Sequence, residues 1–235
     1  MGIPCHVMPE GFTLMIVMPF VVAINLILHA PVPILPLVDE PATAPRVEQA
    51  VLAELNRART DPLAFARSLR EARGYYRGNL LVRPGVAYVT QEGAAPVDEA
   101  IAFVSSKTAQ IALTAAPVLT AAAVDHQVEQ RESGAVGHAG TNGSTPAERV
   151  RKHGGNIYVG EVIAYGSTDP ADIVRQLIVD DGVADRGHRR LLFDASLRYA
   201  GISCGNHPIY RYMCVVTLSR TPDGQTIDRR SHHRI

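Results

Sequence analysis

Near its C-terminal end the chain carries a pattern with few alternatives. Gly201-Ile202-Ser203-Cys204 leads into a Gly-Asn-His-Pro turn at 205–208, and Ile209 to Ser219 follows, rich in β-branched and aromatic residues. Two such runs around a short turn predict a β-hairpin. Upstream, the apolar spacing is helical instead. Val47, Val51, Leu55 and Ala58 recur with Arg and Glu between them, which predicts an amphipathic helix. It ends at Thr60-Asp61-Pro62, where Asp61 can cap and Pro62 can open a second short helix. Residues 74–96 are punctuated by Gly, Tyr and Pro and read as loop, while 97–113 and Val118 to Glu132 return to helix. A glycine-rich loop at 134–146 precedes a short helix from Pro146, and Glu161 falls in a strand or a buried turn. Asp169 caps a helix with Ile173, Val174, Leu177 and Ile178 inward. Helices early and strands late predict an α+β domain rather than a wound α/β sheet.

The 235 residues suit one domain with a leader or tail. Residues 12–28 are the one long apolar run, and a proline-rich stretch that cannot be regular helix follows it. The segments therefore divide as 1–30, a signal peptide or N-terminal membrane anchor; 31–45, a linker; 46–221, the domain; and 222–235, a basic flexible tail. No Lys or Arg precedes the apolar run, and Leu28-His29-Ala30 departs from a small-x-small cleavage site, so cleavage stays open. The implied location is extracytoplasmic, with membrane contact only through the N-terminal segment. Acidic and basic residues balance at 23 each and Trp is absent, which argues against a nucleic-acid partner. Cys5 lies in the leader. Cys204 and Cys214 both fall in the hairpin, as a disulfide or as two buried thiols.

Three glycine-led residues can share a proton or hold a metal: His138, Glu161 and His188. Their surroundings, Gly-His-Ala-Gly-Thr-Asn-Gly-Ser-Thr-Pro-Ala-Glu-Arg (137–149), Val-Gly-Glu-Val-Ile-Ala-Tyr-Gly (159–166) and Asp-Asp-Gly-Val-Ala-Asp-Arg-Gly-His-Arg-Arg (180–190), resemble in this order the CAP superfamily of SCP-like, antigen 5 and pathogenesis-related-1 proteins, in its bacterial extracellular form. Asn56-Arg57-Ala58-Arg59 is similar to the Asn-x-x-Arg of that family's first helix. The resemblance spans residues 46–219 and implies a three-layer α-β-α sandwich. It also implies a cleft where His138, Glu161 and His188 converge with a second acid. Leu177 stands where the family has Trp, which puts Asp180 in the acidic slot beside Asp181, and Val162 replaces the usual Asn after Glu161. Elsewhere His126 is expected to hydrogen-bond within the core, His153 and His207 to face solvent, and Glu148 and Arg149 to form surface pairs. Arg189 and Arg190 are expected to hold a carboxylate such as Asp194 or a helix C-terminus.

Two imidazoles and two carboxylates have three uses. His138 and His188 can bind a divalent cation such as zinc, with the acids orienting the rings. A carboxylate–His pair can move protons for a hydrolysis. Or the four groups can satisfy one another and shape a cleft without turnover. Gly201-Ile202-Ser203-Cys204-Gly205 matches a nucleophile elbow in spelling only, because a turn and a strand follow it where the elbow needs a helix. No HExxH or paired CxxC occurs. The expectation is a secreted or envelope-associated, non-catalytic module for a small apolar or cell-surface ligand, since the resemblance extends to sterol- and lipid-binding members. The alternative is a metal-assisted, peptidase-like hydrolase.

Overall fold

The computed structural model describes residues 46–226 except 84 and 85. The apolar run, the linker and the charged tail at 228–234 lie outside the described residues. The first helix, α1 (Val47–Thr60), buries the expected stripe of Val51, Leu55 and Ala58. Asp61 accepts from Ala64 N–H at 2.9 Å and Pro62 opens α2 (Pro62–Arg73), which packs on α3 (Ala95–Ser105).

Between α2 and α3 the expected loop is instead a three-stranded antiparallel meander: β1 (Tyr76–Arg77), β2 (Leu80–Arg83) and β3 (Val86–Val89). Leu80, Val82, Tyr88 and Val89 are exposed, so these strands show no hydrophobic alternation to read in sequence. The helix expected to reach 113 stops at Ser105, where Ser106 Oγ donates to Phe103 O. The following segment gives its backbone to α1. Leu113 N–H donates to Asn56 Oδ1 at 2.6 Å, and Asn56 Nδ2 donates back to Leu113 O at 2.9 Å. Buried Arg59 donates to Leu192 O, Asp194 O and Leu197 O. The Asn-x-x-Arg of the first helix therefore ties two distant turns to α1.

The remaining elements are β4 (Thr114–Ala115), α4 (Pro117–Ser133), α5 (Pro146–Lys152), β5 (Val159–Tyr165), α6 (Pro170–Val179), α7 (Gly187–Leu192), β6 (Tyr199–His207) and β7 (Arg211–Ser219). A sheet of order β4-β6-β7-β5 is antiparallel except for the short β4–β6 pair. Side chains alternate across it. Val162, Ala164, Ile202, Cys214, Val216 and Leu218 face the core shared with α1, α2, α3 and α6. Ile163, Met213 and Val215 face α4. The domain is α+β, a sandwich of helices, sheet and helices. Gly201 allows the α4 layer its close approach, because a Cβ there would lie 2.0 Å from the Leu119 carbonyl carbon.

The hairpin is longer than expected, with Gly205, Asn206 and His207 still paired and the turn at 208–210. His207 explains this, since its Nδ1 accepts the Ile209 and Tyr210 N–H groups at 3.2 Å and closes the turn. Cys204 and Cys214 lie directly opposite and form a disulfide. Gly201 to Gly205 is uninterrupted strand, which leaves Ser203 no elbow. The start of the expected tail is held as well: Asn156 N–H donates to Asp223 O at 2.7 Å and Tyr158 N–H to Gly224 O at 3.1 Å. Among the described residues no helix is long and apolar enough to cross a membrane.

Candidate functional site

Glu161 sits on the α4 side of β5 with its side chain 1% exposed. Its Oε1 faces His138 Nδ1 at 3.0 Å, and Arg149 Nη2 donates to both carboxylate oxygens at 3.1 and 2.9 Å. Arg149 is thus a buried partner rather than a surface charge. Thr145 and Glu148 form a capping box that turns Glu148 back to the helix start, which leaves the next position facing inward. Arg149 also donates to His138 O and Ser144 O, fixing the loop that carries the imidazole.

A second set of polar groups holds Gly137. Tyr165 Oη accepts its N–H at 2.9 Å, Gln130 Nε2 donates to its carbonyl at 2.6 Å, and Tyr165 Oη–H donates to Gln130 Oε1. Burial pushes the Tyr165 phenol up. His126, fully buried on α4, places Nε2 2.8 Å from both Gly137 O and Gln130 Nε2, as expected of a core histidine. Its Nδ1 has no hydrogen bond among the described residues; Glu129 Oε2 at 3.5 Å is an ion-pair contact only. Burial raises the Glu129 carboxyl, but the hydrogen bonds from the Thr141 hydroxyl and N–H, together with the nearby His126 ring, outweigh it and hold the group below its ordinary value.

Across the cleft, Asp180 is the left-handed C-cap of α6, with φ 60° and its side chain 1% exposed. It accepts His188 Nδ1 at 2.7 Å, His188 N–H at 2.9 Å and Arg189 N–H at 3.3 Å. Asp181 does something else: it accepts the N–H groups of Gln91 and Glu92, tying this turn to the segment before α3. Arg186 completes the clamp on Glu92 and Glu99, and it holds Glu92 down to about 2. Arg189 takes the helix-terminus role, donating to Ile178 O and Val179 O at the end of α6, while Arg190 pairs with Asp185.

The four sequence-derived residues therefore meet as two His–carboxylate pairs. The His138 and His188 rings are 6.0 Å apart between centroids. In the neutral ring, an Nδ1–H donated to a buried carboxylate leaves Nε2 as an acceptor. A hollow of about 390 Å³ adjoins His188, walled by Tyr76, Tyr88, Leu177, Val179 and Tyr210. Among the described residues no group of three or more His, Cys, Asp or Glu is placed to hold a metal. Two imidazoles fall short of the ~3–4 protein ligands of a zinc centre, so solvent would have to complete the shell of any cation held between them.

Two expectations about other histidines change. His207 is 2% exposed, donates to Ala135 O through Nε2, and packs among Tyr165 and Tyr210. His153 is half-buried against Asp125 Oδ2 at 2.9 Å. Turn sequences suggested solvent for both, because the partners come from elements distant in the chain.

No protein-family model and no curated protein matches the chain. Two solved structures are similar in part. An outer surface protein from Borrelia burgdorferi is 19% identical with a TM-score of 0.39, over 46% of this chain and 78% of that one. An extracellular protein containing an SCP domain from Bacillus anthracis str. Ames is 14% identical with a TM-score of 0.41, over 55% of this chain and 38% of that one.

Proposed function

We propose that this is an extracytoplasmic, CAP-like binding module whose cleft recognises a small apolar or cell-surface ligand without turning it over. One observation carries the reading: both carboxylates are already spent. Glu161 is held by Arg149 and His138, and Asp180 accepts from His188 and two backbone N–H groups. With side chains 1% exposed, neither carboxylate can itself reach a water as a general base, and any proton transfer would fall to an imidazole. The motifs around His138, Glu161 and His188 support the CAP-like assignment, and the Cys204–Cys214 disulfide supports an oxidising compartment.

A divalent cation such as zinc would be held by His138 and His188 through Nε2, with Glu161 and Asp180 fixing the rings. The ion would supply Lewis acidity toward a bound group. The hydrolase alternative requires that ion to act without Glu161 as base. The test is elemental analysis and zinc calorimetry on the full chain, beside hydrolysis of peptide and ester substrates, with His138→Ala/His188→Ala as control. The expected result is at most one weakly held equivalent, lost in the control, and no turnover above it. Turnover that disappears in the control would replace the binding reading with the hydrolase.

A further inference from the structure

β5 is an edge strand: β7 pairs with one side, and no strand among the described residues pairs with the other. The phase of the ladder fixes which backbone groups face outward. Gly166 N–H donates to Tyr212 O at 2.8 Å, in continuous register with Tyr165 opposite Met213. Bonded and non-bonded pairs alternate in an antiparallel ladder. Residues 160, 162 and 164 therefore bond β7, and the N–H and C=O groups of Glu161, Ile163 and Tyr165 point away from it. No other described residue hydrogen-bonds those outward groups; the bonds of Glu161 and Tyr165 beyond the ladder run through their side chains.

This edge does not lie open on the surface. Glu161 and Ile163 are 8% and 7% exposed, and Ile163, Ala164 and Tyr165 form one wall of the hollow beside His188. Buried backbone groups are nearly always paired. Protected edges carry Lys, Pro, a bulge or an inward-pointing charge; here Glu161 supplies that charge at one end, while Val162 to Tyr165 carry none of these and keep a continuous register. We propose that the free edge of β5 takes an extended peptide segment of a cell-surface partner as an added strand. Donors and acceptors alternate along this edge, and that pattern of partial charge is complementary to another strand rather than to an acyl chain. From Glu161 to Tyr165 the edge offers ~13 Å of pairing at the rise of a strand. Alternate side chains of the added strand meet His188 at the wall of the hollow, whose Nε2 in the neutral ring suits a hydroxyl or ammonium donor. The inference names the ligand class of the cleft and rests on its being a binding surface.

The experiment selects random decapeptides displayed on phage against the full chain. Selected sequences are then synthesised with an N-methyl group at each amide in turn. The expected scan has a period of two: N-methylation weakens binding tenfold or more at alternate residues and little between them. A second arm is Ile163→Pro, which removes an outward N–H while leaving the β7 ladder bonds, and it is expected to lose binding tenfold or more. If that variant does not fold, the scan still decides. No selected peptide, or a scan without the two-residue period, overturns the proposal. Hydrolysis assays on the same sample test the binding reading separately, so the two readings fail independently.

Discussion

Arg149 and Glu161 form an ion pair with almost no access to water, their side chains 4% and 1% exposed. Removing one member of such a pair leaves the other charged and unsatisfied, at a cost of roughly 3–5 kcal/mol. Arg149→Met is therefore expected to lower the unfolding free energy by about that much in urea titrations. His138→Ala, which trims a half-exposed ring, is expected to cost about 1 kcal/mol or less. Equal midpoints for the two variants would show that Glu161 does not depend on Arg149. Sequence exposed His138, Glu161 and His188 because each follows a glycine in a motif of several residues. It also placed Asp180, by counting from Leu177. Arg149 was hidden because a Glu-Arg at a helix start looks like a solvated face, although Thr145 three residues before Glu148 already spelled the capping box that turns Arg149 inward.

The turn from Asp180 to His188 has few apolar contacts of its own and depends on its clamp. Arg186, at φ 53°, donates to Glu92, Glu99 and the carbonyls of Asp180 and Val183, and Gly182 N–H donates to Glu92. The hydrogen bond from Arg186 is the main reason Glu92 falls from 4.5 to about 2, with the Gly182 amide next. A carboxyl lowered on folding stabilises in full above its unfolded value, and that contribution disappears as protons bind both states. The clamp is thus expected to hold at neutral pH and to weaken as pH falls from about 4.5 toward about 2. Amide exchange over 181–187, corrected for intrinsic rates, should rise in that window. In Glu92→Gln it should already be fast at pH 7, with little further change on acidification. An unchanged exchange pattern in that variant would remove the clamp from the account. The basic residues of 182–190 were legible, but their partner Glu92 lies 94 positions away, and no local pattern reports such a distance. The meander beside it is not legible in sequence because most of its described apolar side chains, Leu81 and Tyr76 apart, are exposed and its strands are short.

The α+β division was legible because periodicity is local: helical spacing in α1, α4 and α6, and β-branched runs in β6 and β7. The layering depends on which face each strand presents, and on the sheet it is Gly201 and the inward alternation of β5 and β7 that decide it. The pairing state of Cys204 and Cys214 was open in sequence, since both outcomes suit a hairpin. In the structure they face each other in register with Cα atoms 4.1 Å apart and a sequence separation of 10. Closing a loop of that size restrains the unfolded chain by about 2–3 kcal/mol. The pair lies on β6 and β7, on the face opposite Glu161, so its loss should lower stability without disturbing the two His–carboxylate pairs. Cys204→Ser/Cys214→Ser is expected to lower Tm by roughly 5–10 °C for a domain of this size, while zinc titrations remain as in the parent chain. A matching drop on adding reductant to the parent, and none in the variant, assigns the shift to the disulfide. If zinc binding also falls, β7 is transmitting strain to β5, and the hairpin must then be counted as part of the site.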